Sequence, residues 1–321
     1  MNRPGAPGRT RRGAAINRRR AFVEDHAVTA LPADTLPELL SPRGYVPAAE
    51  PLEIVRPDAA IDLRTGAPDA PPADTLARLL AGATAARARM AYADAAALCA
   101  QGAAAAREAG APDWAACFAD EADAAALLAP PEDALETIPG LRDDVSADHP
   151  ARGRRRLNAA IATALRGDAP AALAELDAAE RALEVGDAYG RFLVLLNRSQ
   201  ALLEAGDVRA AGTAAADALR MARREKQDYW TAQAGLGSAL AHLARGRRNE
   251  ARGHLGEAAR AFARHGDALR QVQCNYLLGE VAYIGEDPIR AGTHYRDALA
   301  VARPAAAQGW IELLTLRFEH R

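Results

Sequence analysis

From Asp74 onward, alanine and leucine recur at spacings of three and four, and the pattern breaks only at Gly, Gly-Asp or Pro. That spacing puts the apolar residues on one stripe of an α-helix. No segment alternates with the two-residue period of a strand, so the pattern predicts an all-α chain. Glycine-containing turns at Gly167-Asp168, Gly206-Asp207, Gly246-Arg247 and Gly285-Glu286 divide it into segments of 39 or 40 residues. Further turns at Gly186-Asp187 and Gly266-Asp267 fall between them, which makes each unit a helix A, a turn, a helix B and a second turn.

The units repeat every 40 residues. Ala171, Ala211, Ala251 and Ala291 stand 40 apart, as do Ala178, Ala218, Ala258 and Ala298, with an acid before each second alanine (Asp177, Asp217, Glu257, Asp297). The two alanines of a unit are seven residues apart, two helical turns, so they share a face. A small side chain there lets neighbouring helices approach closely. A fixed period of this length marks a solenoid, in which each unit buries its apolar face only by stacking on its neighbours.

Leu278-Gly279 in helix A, followed by Ala291, Tyr295, Ala298 and Pro304, resembles the tetratricopeptide repeat in its longer variant of about 40 residues. Leu157-Asn158 ahead of Gly167-Asp168, and Leu196-Asn197 ahead of Gly206-Asp207, are similar to that variant's signatures, with Leu and Asn in reversed order. The resemblance covers about three quarters of the chain. Repeats are clear between about 151 and 304, residues 73 to 109 read as a further copy with Tyr92 to Gly110 as its B helix, and 112 to 145 read as a degraded copy. Ala305 to Arg321, with Trp310, Leu313, Leu314 and Phe318 at helical spacing, read as a capping helix. The resemblance implies a right-handed superhelical solenoid of antiparallel helix pairs over residues 72–321, with a concave face lined by A helices that holds an extended peptide or a helix. The groove residues it implies are the polar A-helix positions Arg155, Asn158, Arg191, Asn197, Gln233, Asn275, Tyr276 and Glu280. Asparagine offers both a donor and an acceptor, which suits recognition of a ligand backbone whatever its side chains. Such a protein is an adaptor or scaffold that binds a segment of another protein, with no cofactor and no catalysis.

Composition adjusts this picture at the N-terminus. Eleven of the 19 prolines lie in the first 72 residues, and proline removes a backbone donor and disfavours helix in the residue before it. Residues 1–71 are therefore expected to be an extended or partly disordered arm, with room for one short helix starting at Thr35-Leu36-Pro37-Glu38, a capping-box pattern. Pro32 to Leu36 recur as Pro72 to Leu76, again 40 residues apart. The first 20 residues hold seven arginines and no acid, so the formal charge of -2 conceals an N-terminal +7. Contact of this arm with nucleic acid defines a second reading, a transcription-linked sensor whose groove takes a small molecule or signalling peptide.

Other chemistry is excluded residue by residue. Lys226 is the one lysine and no Gly-Lys pair exists, which removes P-loop and Schiff-base mechanisms. Cys99, Cys117 and Cys274 show no metal or redox spacing, and the sequence is expected to be that of a cytoplasmic protein. No 18-residue apolar run is present, and Glu24, Asp25 and His26 occupy the place where an export signal after Arg18-Arg19-Arg20 would need apolar residues. Asp143, Asp144 and Asp148 imitate a magnesium-binding cluster but lack a second metal motif. The seven histidines include no pair at ligand spacing along a helix, and Gly235-Leu236-Gly237-Ser238 lacks the last glycine of a nucleophile elbow. Homo-oligomerisation stays open.

Overall fold

The computed structural model describes residues 73–128, 152–305 and 307–319. The arm 1–71, the pattern at Pro32 to Leu36, and Asp143, Asp144 and Asp148 lie outside them. All regular structure among the described residues is α-helical: α1 (Ala73–Ala88), α2 (Tyr92–Glu108), α3 (Pro112–Leu128), α4 (Arg152–Leu165), α5 (Ala169–Ala182), α6 (Ala188–Glu204), α7 (Val208–Arg224), α8 (Asp228–Ala244), α9 (Arg248–His265), α10 (Ala268–Ile284), α11 (Pro288–Ala302) and α12 (Gln308–Glu319).

The helix boundaries follow from side-chain chemistry. Asp168, Asp187, Asp207, Asp267 and Asp287 each accept a hydrogen bond from a backbone N–H in the first turn of the helix they precede. Such a cap satisfies one of the four donors a helix start leaves unpaired. The α2, α8 and α9 starts have no side-chain cap, their N-cap residues being Ala91, Gln227 and Arg247. Gly167, Gly206 and Gly246 end A helices with φ of 93°, 83° and 70°, a left-handed region that glycine enters without steric cost. At the corresponding turn after α10 the left-handed residue is Glu286, φ 58°, and not Gly285, whose φ is -82°.

Each helix packs on its successor, and the contacts α1·α3, α3·α4, α4·α6 and α6·α8 join the A helices side by side. The result is a layer of A helices (α1, α3, α4, α6, α8) with B helices (α2, α5, α7, α9) stacked against it, followed by α10, which packs between α9 and α11. Helix α12 closes the end, with Trp310, Leu313 and Leu314 buried. Ala211, Ala251 and Ala291, and Ala218, Ala258 and Ala298, are all buried at the helix contacts. In α5 the register differs from the sequence expectation. The buried pair is Ala172 and Ala179, one residue beyond Ala171 and Ala178, which are half-buried. The adjacent turn glycines Gly167 and Gly206 are 39 rather than 40 apart, so this unit is one residue shorter.

Gly279 allows one such close approach, since a Cβ there would stand 2.2 Å from the Tyr295 ring. Gly279→Ala is therefore expected to lower unfolding free energy by about 1–3 kcal/mol, the usual cost of overpacking a core. Gly253, in the middle of α9, has nothing within 4 Å of a Cβ, and Gly253→Ala is expected to raise stability by about 0.5–1 kcal/mol. Opposite shifts in urea midpoint for one chemical change would check both.

Candidate functional site

The expected groove residues divide sharply by exposure. Asn158, Asn197, Tyr276 and Glu280 are at most 1% exposed, and Gln233 and Asn275 reach 5% and 9%. Only Arg155 and Arg191 are half-buried. Six of the eight thus belong to the interior, not to an open surface, and their partners show what they do there. Asn197 Nδ2 donates to the Leu193 carbonyl of its own helix at 2.9 Å. Arg155 Nε donates to Asp120 at 3.3 Å, tying α4 to α3. Arg191 donates to the Glu184 carbonyl at 2.9 Å, and the Gln233 side-chain oxygen is buried without a hydrogen bond.

Glu280 is the centre of a three-helix network. It accepts hydrogen bonds from Tyr295 Oη of α11 and Arg317 of α12, both at 2.6 Å. The Tyr276 ring packs against Tyr295 and, edge-on, against Trp310. Burial raises the Glu280 carboxyl above its ordinary range, and the adjacent Arg317 guanidinium opposes that rise. The two residues singled out at this point, Tyr276 and Glu280, hold the last helices together.

A second buried polar set has one member outside the repeat units it serves. Arg87, at the end of α1, pairs with Glu121 of α3, with Nη2 to Oε2 at 3.3 Å. Arg87 also lies near enough to Tyr189 and Tyr229 for its charge to act on both. Tyr229 Oη donates to Asp267 at 2.7 Å, and Arg270 donates to Gln273 at 2.9 Å. Burial raises the hydroxyl of Tyr92, the first residue of α2, against the influence of Arg270. Met90, in the turn between α1 and α2, joins the main apolar cluster with Leu196, Leu236 and Leu240. The first hairpin therefore reaches the same interior as the A helices of later repeats. Sequence reading gave no buried polar role to Arg87, Tyr92, Glu121 or Arg317. Tyr189 and Tyr229 did carry a signal, standing 40 residues apart.

These interior groups are matched to one another in a way that serves packing. Burial pushes the Cys99 thiol up to about 12 and Cys274 higher still, so neither presents a thiolate near neutral pH. Gly235 lies within α8, where a Cβ would contact Ala258 of α9 at 3.9 Å, a helix-packing position. Among the described residues no group of three or more His, Cys, Asp or Glu side chains is placed to hold a metal ion. None of the described helices is long and apolar enough to cross a membrane. No protein-family model matches the sequence, and no curated protein matches it.

Two carboxyls beside Arg155 supply a pH test. Burial raises Asp120 and Asp123 to about 6, against the lowering effect of Arg155. Both acids hold protons more tightly in the folded chain than in the unfolded one, so stability falls as pH rises from about 4 through 6. Asp123→Asn removes one such group. It is expected to be more stable than the parent chain by on the order of 1 kcal/mol at pH 7.5 and equal to it near pH 4, as read by urea denaturation. Arg317→Ala strands the buried Glu280 carboxylate and is expected to cost about 3–5 kcal/mol at neutral pH.

Proposed function

We propose that this chain is a non-enzymatic interaction protein of tetratricopeptide type, holding an extended segment of another protein along its layer of A helices. The observation that carries the reading is a row of polar, half-buried side chains at one repeat position. Arg191, Thr231 and Gln271 stand 40 residues apart on α6, α8 and α10. Packed helices lie about 8–10 Å apart and an extended chain advances ~3.3 Å per residue. Each repeat therefore spans about three residues of a bound segment, and one polar side chain per repeat meets the ligand backbone at a regular interval.

Buried Asn158, Asn197, Tyr276 and Glu280 have no direct part in this reading. Arg155 and Arg191 remain as contacts, with Thr231 and Gln271 added. Recognition by preformed helices costs little ordering of the protein, which favours binding by many weak contacts.

Arg191→Ala combined with Gln271→Ala changes two half-buried side chains and leaves the core untouched. Affinity capture from the source lysate with mass spectrometry is expected to recover at least one protein with the parent chain that the double variant loses. Recovery of identical sets by both would remove the A-helix row as the binding surface.

A further inference from the structure

Between the start of α9, the end of α10 and the start of α11 lies a cleft of about 480 Å³. Arg247, Arg248, Arg252 and Arg290 line it, and Leu278 and Val281 are among its apolar lining residues. Its acids are Glu250 and Asp287. Asp287 is already engaged as the cap of α11, accepting from the Arg290 N–H at 3.0 Å, with the Arg290 guanidinium 3.6 Å away. Arg248 donates to the Ile284 carbonyl at 3.2 Å. The guanidinium groups of Arg247 and Arg252 make no hydrogen bond or ion pair with another described residue, and both residues are exposed.

The junction one repeat earlier shows why this cleft is open. There Arg245, at the end of α8, lays its guanidinium across the start of α7 and donates to the carbonyls of Val208 and Arg209, each at 3.0 Å. Gly212 makes room for it, since a Cβ at that position would stand 2.2 Å from Arg245 Nη2. Forty residues on, the position of Arg245 is Gly285 and that of Gly212 is Arg252. The side chain that fills the earlier junction is missing, and an arginine stands where the glycine was. The Asp207 cap is likewise replaced by Arg247, whose side chain makes no cap bond to α9. Three differences at one junction thus remove a plug, add two guanidinium groups and take away a carboxylate.

We infer that this cleft docks a short acidic segment of a partner protein, with an apolar side chain set against Leu278 and Val281 and flanking carboxylates on Arg247 and Arg252. Charge selects the occupant. Four guanidinium groups face two carboxylates, one of them already bonded, and arginine pairs with carboxylates through two parallel N–H donors. The size of the cleft favours a peptide over a bare anion, which would fill only a small part of it. The site uses α9 to α11 alone and stands apart from the row Arg191, Thr231 and Gln271.

The test exchanges the two residues without changing net charge. Gly285→Arg with Arg252→Gly recreates the pair that fills the preceding junction. The backbone at Gly285 (φ -82°, ψ 10°) is close to that at Arg245 (φ -96°, ψ 3°), so an arginine fits there. A random dodecapeptide display library is panned on the full chain, and the enriched peptides are synthesised with a fluorescein label for anisotropy titration. The expected result is enrichment of sequences with Asp or Glu flanking an apolar residue, bound at least tenfold more weakly by the double variant. Arg252→Gly alone is expected to weaken binding less than the double variant does, and it serves as the reading if the double variant fails to fold. Enrichment without acidic residues, or equal binding by the parent chain and the variants, overturns the proposal. Displacement of labelled peptide by tripolyphosphate at a lower concentration than by unlabelled peptide assigns the cleft to a small anion and overturns it too.

Discussion

The structure depends on how closely successive helices can approach. Ala211, Ala251 and Ala291 with Ala218, Ala258 and Ala298 hold the helices of each unit together at buried positions, and Gly279 lets the Tyr295 ring lie directly on α10. Small residues bury little apolar area themselves. Their effect is to bring larger side chains within reach, such as Phe192 stacked on Trp230 at 5.1 Å. A chain with few aromatics can then form a continuous core, because each ring is shared between neighbouring units.

Much of this was legible in the sequence because helix period, turn glycines and the 40-residue repeat are local signals. Tyr92 as a helix start and the burial of Trp310, Leu313 and Leu314 could be read from spacing alone. The one-residue slip in α5 was not, since Ala171 and Ala172 are both alanine and the pattern fits either. Which residue of the Gly285-Glu286 turn takes the left-handed conformation was not legible either, and in the structure it is Glu286.

The burial of most of the expected groove residues was hidden for a different reason. Periodicity shows which face of a helix looks inward, but not whether that inward face is open. Met90 shares a core with Leu196 and Leu236, and Arg87 acts on Tyr189 and Tyr229. These contacts join parts of the chain 100 or more residues apart, and no local pattern encodes them. Polar residues such as Glu280 and Tyr276 resembled ligand contacts because their partners, Tyr295 and Arg317, lie on other helices.

The first three helices share a small core of their own, in which Leu76, Leu80, Ala106 and Phe118 form a cluster separate from the main one. It is joined to the rest through Met90, Leu127 and Leu128 and through the Arg155–Asp120 pair. Cooperative units in a protein open separately when the bonds between them are fewer than those within them. The amides of α1 to α3 should thus exchange with deuterium ahead of those in α8 and α10, and the inner side of the later repeats would be uncovered while their own helices remain folded.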